Sequence, residues 1–424
     1  MIRLLYTLLL ALLAPFLLYS LYKKKEGKPA FGSRWKEHFG QTPKLLTEQK
    51  PLWIHAVSVG ESIAAIPIIH QLKQQFPDLP ILVTTTTSTG AQQIEKLGNL
   101  VEHRYMPLDF SFAVKRFIHT VKPQAFLIME TELWLNTLHT VSKAGIPIVL
   151  VNARLSEKSR NNYRKIQSVF NLLAQKLDLI LCQHGSDAER FISLGVASNK
   201  VHITGSVKFD VHVSDEIKAK SQQLRAFLGQ QRPIWIAAST HPGEDEQLFS
   251  VHQQILKSLP NALLIIVPRH PERFDSVAQL ASGRYQFKTV TRSSQIAVSA
   301  ETQVYVGDTM GEMLILIGAA DVCFMAGSLI GDKVGGHNVL EPAALGKATI
   351  TGPSYFNFKE IVEELTRHQA ALVIDDQQQL IDTLSRLFAD EQYRESIGNS
   401  AKQYIESNSG AKNRIIEQIA RLLV

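Results

Sequence analysis

Acidic side chains follow apolar, strand-like runs in two places, and the first is Glu61 in HAVSVGES (residues 55–62). Ser58 could cap a helix that starts here, and Glu61, three residues further on, would then complete a capping box. Glu61 could instead be a general base, because the helix dipole keeps such a carboxylate ionised while partial burial raises its basicity. Pro67 argues against a simple cap, because a helix that begins at Gly60 needs an amide donor at that position. The residues alone leave both interpretations open.

The second acidic stretch is METELW (129–134), which places Glu130 and Glu132 just after the run AFLI. Two acids at such a position are not expected in a core. They could be acids of a helix N-terminus, or one of them could face a positive charge that develops during a reaction. Glu130 lies closer to the strand end.

Two basic residues also follow predicted strands. Lys208 in GSVKFD is either a solvated linker charge or a group that reaches an anion. Arg269 in VPRHPERF could bind both oxygens of a phosphate or carboxylate with its planar guanidinium, or it could form a surface salt bridge.

Glycines mark two further turns. Gly311 in VGDTMGEM occupies a predicted strand-to-helix turn, where backbone amides can contact a ligand. Gly335 and Gly336 in GGHNVLEPAALG precede a predicted helix start, whose free N–H groups would form an anion site. Glu341, on the first turns of that helix, would be within reach of a ribose diol. Because glycine pairs are also common in plain turns, nucleotide binding is one of two interpretations.

The sequence lacks the motifs of several common chemistries. It contains no G-x-G-x-x-G after the first strand, no Walker A motif and no G-x-S-x-G, and its 14 histidines have no metal-ligand spacing. It therefore predicts neither a cofactor nor a metal. The net charge of +6 suits anionic small molecules or a lipid surface, and the basic residues lack the interleaved aromatics of a nucleic-acid-binding protein. Cys182 and Cys323 lie in apolar runs, which predicts reduced, buried thiols.

Apolar runs alternate with helical patterns, which predicts parallel sheets covered by helices on both faces. The predicted strands of a first α/β unit are PLWIHAVS, PILVTTTT, AFLIME, IPIVLVNA, LDLILCQ and KVHITG. Those of a second unit are PIWIAAST, ALLIIVP, FKTV, VYVGD, DVCFMAG, KATITG and AALVID. The chain is accordingly divided into an anchor (1–24), a first α/β domain (25–212), a linker (213–231), a second α/β domain (232–400) and a C-terminal helix (401–424). Ligands of such sheets bind at the carboxyl ends of the strands.

The first residues differ from the rest, because Leu4 to Tyr22 is almost wholly apolar. At about 1.5 Å per residue this stretch nearly spans a hydrocarbon layer of roughly 30 Å. The basic residues after it are Lys23, Lys24, Lys25, Lys28, Arg34 and Lys36. Because only Arg3 precedes it, the stretch predicts a single-pass anchor with the rest of the chain in the cytoplasm. A cleaved signal peptide is the alternative, but its charge asymmetry would be reversed and no A-x-A site follows.

Eight motifs, in this order, resemble the 3-deoxy-D-manno-octulosonic acid (Kdo) transferases of Gram-negative bacteria. They are HAVSVGE, METELW, NARLS, GSVKFD, ASTHPGEDE, VPRHPERF, VGDTMGEM and GGHNVLEPAALG. The resemblance implies the GT-B fold, in which two Rossmann-like domains face each other across a cleft, here with an N-terminal transmembrane helix. It also implies an inverting transfer of Kdo from CMP-Kdo to the lipid A precursor lipid IV(A), at the inner membrane, in lipopolysaccharide core biosynthesis.

The same resemblance implies roles for individual residues. Glu61 would be the proton acceptor, Glu130 would stabilise the oxocarbenium-like transition state, and Lys208 would be its cationic partner. The segments similar to the family's CMP-binding segments contain Arg269, His270, Met310, Gly311, Glu312, Asn338, Val339, Leu340 and Glu341. One departure is METELWLN where METELWPN is expected, with Leu135 in place of proline. It weakens inferences about the turn after Glu132 and leaves Glu130 in place.

Two other functions are compatible with part of the pattern. A GT-B-fold nucleotide-sugar 2-epimerase would have the same two domains and a nucleotide site, but it would not need a membrane anchor. A non-enzymatic membrane scaffold would not require charged residues at strand ends.

Overall fold

Strands and helices alternate along the chain, as the sequence predicts, in a computed structural model that describes residues 1–23, 29–211 and 213–423. The contacts divide the chain into two units. Unit 1 is Met1–Asp210 together with Ser409–Val424, and unit 2 is Val211–Asn408.

Unit 1 is built on a seven-stranded sheet in which the strand pairs are parallel. Its strands are β1 (Leu52–His55), β2 (Ile81–Thr85), β3 (Glu102–Tyr105), β4 (Ala125–Met129), β5 (Ile148–Ala153), β6 (Leu179–Cys182) and β7 (Val201–Ile203). Their order across the sheet is β3-β2-β1-β4-β5-β6-β7. The sequence predicts each of these strands except β3.

Both faces of this sheet are buried, and β1 shows how the sequence achieves this. Trp53 points to one face, where its ring stacks on that of Phe126 with the centroids 3.7 Å apart. Leu52 and Ile54 point to the opposite face and belong to a second apolar cluster. Strands buried on both sides read as continuous apolar runs, which explains why the sequence pattern identifies them.

β3 differs because it lies at the edge of the sheet. Partly exposed Glu102 and Arg104 form an ion pair at 2.8 Å, while His103 and Tyr105 are buried. The run EHRY therefore has no continuous apolar stretch, and a search for such stretches misses it.

The helices of unit 1 that precede unit 2 are α1 (Ile2–Tyr22), α2 (Val59–Gln75), α3 (Ser88–Glu95), α4 (Ser111–Val121), α5 (Leu135–Lys143), α6 (Glu157–Lys165), α7 (Gln167–Ala174) and α8 (Gly185–Ser193). Among the described residues, α1 is the one helix whose length and composition would let it cross a membrane. The basic residues Lys24, Lys25 and Lys28, which follow it in the sequence, lie outside the described residues.

Unit 2 repeats the parallel architecture with the strand order β10-β11-β9-β8-β12-β13-β14. Its strands are β8 (Ile234–Thr240), β9 (Leu263–Pro268), β10 (Thr289–Thr291), β11 (Val304–Val306), β12 (Val322–Met325), β13 (Ala348–Thr351) and β14 (Leu372–Val373). Its helices are α9 (Asp215–Leu228), α10 (Asp245–Ser258), α11 (Phe274–Gln279), α12 (Met313–Ala319), α13 (Leu340–Ala344), α14 (Lys359–Arg367), α15 (Gln377–Ala389) and α16 (Glu391–Asn408). The two parallel sheets confirm the predicted α/β class.

In each sheet the chain crosses from one side of its first strand to the other, and we call this place the reversal point. In unit 1 the chain proceeds outward from β1 through β2 to β3 and then crosses to β4, on the other side of β1. In unit 2 the corresponding neighbours are β8 and β12. Helices that start from two such strands diverge to opposite faces, and the crevice between them is where ligands of open α/β sheets bind.

The last helix, α17 (Ala411–Leu423), returns to unit 1. Ile415, Ile416 and Ile419 are buried against α2, in the same apolar cluster as Ile69. The carboxylate of Asp210 fixes the start of α17. It accepts hydrogen bonds from the backbone amides of residues 410 and 412, at 2.5 and 2.6 Å.

We predict that Ile415→Ala destabilises unit 1 by about 2–5 kcal/mol, because a fully buried isoleucine leaves a cavity between α17 and α2. Chemical unfolding followed by tryptophan fluorescence measures the loss, and Arg421→Ala, on the exposed side of the same helix, is the control. Equal stability of the two variants would show that α17 is not part of the core of unit 1.

Candidate functional site

Glu61 lies at the reversal point of unit 1, in the first turn of α2 and directly after β1. Its side chain is 7% exposed. One carboxylate oxygen accepts from the amide of Val57 at 2.8 Å, and the other accepts from the Ser58 hydroxyl at 2.7 Å. Burial raises the pKa of this carboxyl, and the hydrogen bonds from Ser58 and Val57 oppose the rise.

The capping arrangement that Pro67 argued against is formed. Ser58 is the N-cap of α2, and its hydroxyl accepts from the amide of Glu61 at 3.3 Å. The helix continues through Pro67 to Gln75, so this proline neither ends the helix nor prevents the cap. The Glu61 carboxylate can still accept further hydrogen bonds, because each of its oxygens retains a lone pair.

Glu130 follows β4, the strand next to β1, and has a left-handed backbone with φ +57°. A residue other than glycine rarely adopts this conformation, which costs of order 1 kcal/mol or more. The conformation turns the chain sharply at the strand end, and the amide of Glu130 still donates to the carbonyl of Val151 at 2.9 Å. The predicted position of Glu130 at a strand end is therefore observed.

Glu132 joins these two acids. Burial raises the pKa of its carboxyl to about 7, the negative charges of Glu61 and Glu130 add to the rise, and a hydrogen bond from Trp134 opposes it. Nearby Tyr163 also has a raised pKa, first through burial and then through the charge of Glu132. Three carboxylates therefore share the reversal point of unit 1. Such a group can accept a proton near neutral pH and can stabilise a nearby positive charge.

Lys208 lies elsewhere in unit 1, in a short 3-10 helix after β7. Its side chain is exposed, and the neighbouring amide of Val207 donates to the Asn152 side chain at 3.3 Å. The acids act on one another: Glu130 raises the pKa of Glu61, and Glu61 and Glu130 raise that of Glu132. The role of Lys208 stays a prediction.

In unit 2, cationic and imidazole side chains gather at the carboxyl ends of β8 and β9. Arg269 follows β9, and its amide donates to the carbonyl of Thr240 at 3.0 Å. His241 follows β8, and its Nε2 lies 2.8 Å from Nε2 of His337. His270 packs edge-on against His241, with the ring centroids 5.5 Å apart.

Burial and neighbouring positive charge favour the neutral forms of His241 and His337. Burial, together with His241, Arg269 and His270, lowers the pKa of His337 to about 4. Burial and the charges of His270, Arg273 and Arg269 also lower the pKa of His241. A dianionic ligand would relieve this mutual repulsion, so the cluster is suited to a phosphate or carboxylate.

A buried carboxylate organises the adjacent loops. Glu244 is fully buried and accepts four backbone hydrogen bonds. The donors are the amides of His241 at 3.0 Å, Gly327 at 2.8 Å, Ser328 at 2.9 Å and Leu329 at 3.0 Å. Glu244 therefore joins the loop after β8 to the loop after β12, across the reversal point of unit 2.

The two glycines Gly335 and Gly336 lie in a turn of the loop after β12. They have φ of +82° and +78°, and a Cβ at Gly335 would collide with the ring of Phe356. The amide of Gly336 donates to the carbonyl of Gly327 at 2.8 Å, and the helix α13 begins at residue 340. These contacts fit the interpretation as a plain turn, and the anion site stays a prediction.

The next segment, residues 338–341, contains two polar residues and two buried apolar residues. The Asn338 amide group donates to Glu341 at 3.3 Å, and burial raises the pKa of Glu341, opposed by Asn338 and Arg269. Val339 and Leu340 are buried in the core, with 0% and 2% exposure. Asn338 and Glu341 can therefore present polar atoms to a ligand, whereas Val339 and Leu340 can do so only through their backbone.

The residues of the turn before α12 also differ in what they can offer a ligand. Met310 is 70% exposed, and Gly311 has φ +81°, a conformation that favours glycine. Glu312 forms a two-pronged ion pair with Arg292, at 2.9 and 3.1 Å, which lowers the pKa of its carboxyl. The backbone of this turn is accessible, while the Glu312 carboxylate is already paired.

The sequence analysis names Glu132 beside Glu130 without a role of its own, and it does not name His241, His337 or Glu244. All four lie in the motifs quoted above. Glu244 and His337 lie in loops and contact groups distant in sequence, which local patterns do not indicate. His241, which directly follows β8, could have been found.

Two family models and several known proteins match the chain. Residues 33–211 match the family model described as 3-deoxy-D-manno-octulosonic-acid transferase (kdotransferase), and residues 232–404 match that of glycosyl transferases group 1. The chain is 39% identical over 418 residues to the 3-deoxy-D-manno-octulosonic acid transferase of Haemophilus influenzae, covering 98% of this chain and 97% of that protein. It is 33% identical to the corresponding protein of Bordetella pertussis, covering 87% and 86%.

A solved structure shows the fold alone. The UDP-GlcNAc 2-epimerase of Neisseria meningitidis, bound to UDP-GlcNAc, matches with a TM-score of 0.54 at 14% identity, covering 88% of this chain and 100% of that chain.

We predict that Glu132→Gln changes stability in a pH-dependent manner. The pKa of Glu132 is about 7 in the folded state, above its ordinary value of 4.5. Protonation of Glu132 therefore stabilises the folded state fully below about pH 4.5, and this stabilisation is lost as the pH rises through 7. The variant should match the wild type at pH 4 and be more stable at pH 8 by about 1–2 kcal/mol, since partial exposure reduces the penalty. Unfolding curves at both pH values test this, with exposed Glu48→Gln as the control. A pH-independent difference would contradict the assignment.

Proposed function

Because the chain belongs to the family of 3-deoxy-D-manno-octulosonic acid transferases, we propose that its donor is CMP-Kdo and its acceptor is lipid IV(A). The family identity makes the chain a glycosyltransferase that transfers Kdo in lipopolysaccharide core biosynthesis. The observation that carries the proposal is the placement of three carboxylates at the reversal point of unit 1 and of an anion-binding cluster at that of unit 2.

The 2-epimerase alternative is not favoured. The epimerase of Neisseria meningitidis shares the fold at 14% identity, whereas transferases match at 39% and 33% along most of the chain. A fold by itself does not determine an activity.

The proposed reaction is a single displacement with inversion. An acceptor hydroxyl attacks the anomeric carbon of Kdo, the bond from that carbon to the phosphate oxygen breaks, and CMP departs with the bonding electrons. The hydroxyl proton passes to Glu61. Burial raises the basicity of Glu61, and the hydrogen bonds from Val57 and Ser58 fix its orientation.

The other two acids have supporting roles. Positive charge develops on the sugar ring as the bond to phosphate breaks, and a preorganised carboxylate stabilises such charge without reorganisation. We assign this role to Glu130, which its left-handed backbone holds at the end of β4. Glu132, whose pKa is about 7, is half protonated near neutral pH and can share the proton that Glu61 receives.

Binding of the donor is assigned to unit 2. Arg269, with His270, would neutralise the phosphate at the end of β9, and the backbone at Met310 and Gly311 would contact the nucleotide. Glu341, held by Asn338, would accept from the ribose hydroxyls. Glu312 would act indirectly, since its ion pair with Arg292 fixes the turn. Lys208 of unit 1 would act on the donor carboxylate or the departing phosphate.

The proposed acceptor is a lipid, which indicates where in the cell the enzyme is located. The apolar helix α1 fits a membrane anchor. Lipid IV(A) is a membrane glycolipid, and we place the anchor in the bacterial inner membrane with both α/β units in the cytoplasm. The basic residues after α1 favour this orientation and an anionic lipid surface.

We predict that Glu61→Gln lowers kcat by about 10²–10⁴-fold, because the amide cannot accept the hydroxyl proton. CMP binding should be unchanged, because the assigned CMP contacts lie in unit 2. Release of CMP from CMP-Kdo in the presence and absence of lipid IV(A), with calorimetric titration of CMP, measures both quantities.

Ser58→Ala is the comparison variant for this experiment. It removes the cap of α2, worth about 1 kcal/mol of stability, and one of the two hydrogen bonds that orient Glu61, but it retains the carboxylate and the bond from Val57, so its loss of kcat should be much smaller. If Ser58→Ala were as inactive as Glu61→Gln, the cap would explain the loss and the assignment of Glu61 as base would be wrong.

We predict different kinetic effects at the two basic residues. Arg269→Ala should raise KM for the donor, because it removes binding common to the ground and transition states, whereas Lys208→Ala should mainly lower kcat. A charge-assisted contact of about 1.5–3 kcal/mol corresponds to about 10- to 150-fold in either constant. Steady-state kinetics with the donor varied at saturating acceptor decide the matter, with exposed Arg284→Ala as the control. If both variants change mainly KM, Lys208 is a second ground-state contact.

A further inference from the structure

The anchor helix α1 lies along unit 1 and contacts it at both ends. Near its start, the Tyr6 hydroxyl donates to the buried carboxylate of Asp109 at 2.8 Å, and the Asn136 amide group donates to the Thr7 hydroxyl at 3.0 Å. At its end, the Tyr22 hydroxyl lies 2.7 Å from Nδ1 of His38. These contacts are about 24 Å apart along the helix at 1.5 Å per residue.

One face of α1 therefore points toward the α/β part of unit 1, and the other face points outward. The outward residues are large and apolar, as shown by Leu5, Leu12 and Phe16, which are 69%, 74% and 75% exposed. Exposed apolar surfaces of this size mark sites of interaction with a membrane or a protein, and the length and composition of α1 fit a membrane. In the proposed location the outer face of α1 lies in the hydrocarbon layer, and lipid can then reach the two edges along which α1 meets the rest of unit 1.

Between α1 and unit 1 lies an apolar cavity of about 210 Å³. The helix contributes Leu10, Ala14, Leu17, Leu18 and Leu21, and unit 1 contributes mainly Met106, Pro107, Leu108, Phe110 and Trp134. An apolar cavity of roughly 150 Å³ already excludes water and accommodates a small hydrocarbon. The cavity is therefore suited to a segment of a hydrocarbon chain.

One wall of this cavity is connected to the carboxylate group. Trp134 lines the cavity, and its side chain lies near enough to Glu132 to oppose the rise in the pKa of that carboxyl. One tryptophan therefore borders the apolar cavity and is a neighbour of the acid. A lipid whose chain lies in the cavity would place its polar end near Glu132, where a sugar hydroxyl can meet the carboxylates.

We propose that this cavity binds one acyl chain of the glycolipid acceptor. The inference rests on the proposed function and assigns part of its acceptor site. The chain enters between α1 and unit 1 from the hydrocarbon layer, and the sugar of the acceptor lies over Trp134 at the three carboxylates. The anchor thereby forms one wall of the acceptor site in addition to holding the enzyme at the membrane.

Two leucine-to-tryptophan substitutions on α1 test the proposal. Leu10→Trp fills the cavity, whereas Leu12→Trp places the same side chain on the outward face. Initial rates of Kdo transfer in detergent micelles are measured with the acylated acceptor varied, and then with the donor varied. Leu10→Trp should raise KM for the acceptor about tenfold with an unchanged KM for the donor, because burial of several methylene groups is lost. Leu12→Trp should keep both wild-type values.

A photocrosslinking experiment covers the case in which Leu10→Trp does not fold. A benzophenone amino acid replaces Ala14 or, as the control, Leu12, and labelled acceptor is irradiated with each protein. The position in the cavity should crosslink the acceptor in a reaction that unlabelled acceptor competes, whereas the outer position should show no such competition.

The outcomes separate this inference from the function on which it rests. A wild-type enzyme that transfers no Kdo to lipid IV(A) would refute the proposed acceptor. Transfer by the wild type, together with equal acceptor KM for Leu10→Trp and Leu12→Trp, would refute only the acyl-chain site. Crosslinking at position 14 that phospholipid competes as well as acceptor does would assign the cavity to bulk lipid and also overturn the proposal.

Discussion

Parallel pairing of the strands is the constraint on which the rest of this protein depends. Every strand of a parallel sheet begins at one edge and ends at the other, so each connection must cross back along the sheet, usually as a helix. In both units these crossovers bury the two faces of the sheet and leave the carboxyl ends of the strands open. The residues after β1 and β4, or after β8 and β12, are distant in sequence, and this geometry alone brings them together.

The two units surround a carboxylate with different groups. Glu244 accepts hydrogen bonds from four backbone amides, which oppose the rise that burial causes in its pKa and hold two loops together. Glu132 is partly buried beside two other acids, and its pKa rises to about 7. A compensated carboxylate stabilises a structure, whereas an uncompensated one destabilises it and retains the capacity to take up a proton. This contrast supports a structural role for Glu244 and a chemical role for the three acids.

Both ends of the chain belong to unit 1. The helix α17 packs against α2, whose first turn carries Glu61, so the last residues of the chain support the position of the first acid. The helix α1 closes an apolar cavity whose wall includes Trp134, a neighbour of Glu132. The first and the last helix therefore both pack against elements that adjoin the acids.

The sequence by itself determined the elements and the chemical character of their ends. Runs such as AFLIM and LLIIVP are apolar throughout because both faces of each sheet are covered, and Glu130 and Arg269 were found because they directly follow such runs. Glu61 was found at the start of the helix that follows β1. The edge strand β3 was missed because one of its faces meets solvent. Tertiary structure alone decided the strand order, the pairing of His241 with His337, the use of the Gly336 amide by Gly327, and the return of α17 to unit 1. The physical reason is the separation in sequence of the residues involved. Burial and turn formation depend on a few neighbouring residues, so local sequence patterns indicate them. These contacts instead join segments tens to hundreds of residues apart, and they depend on which strand lies beside which.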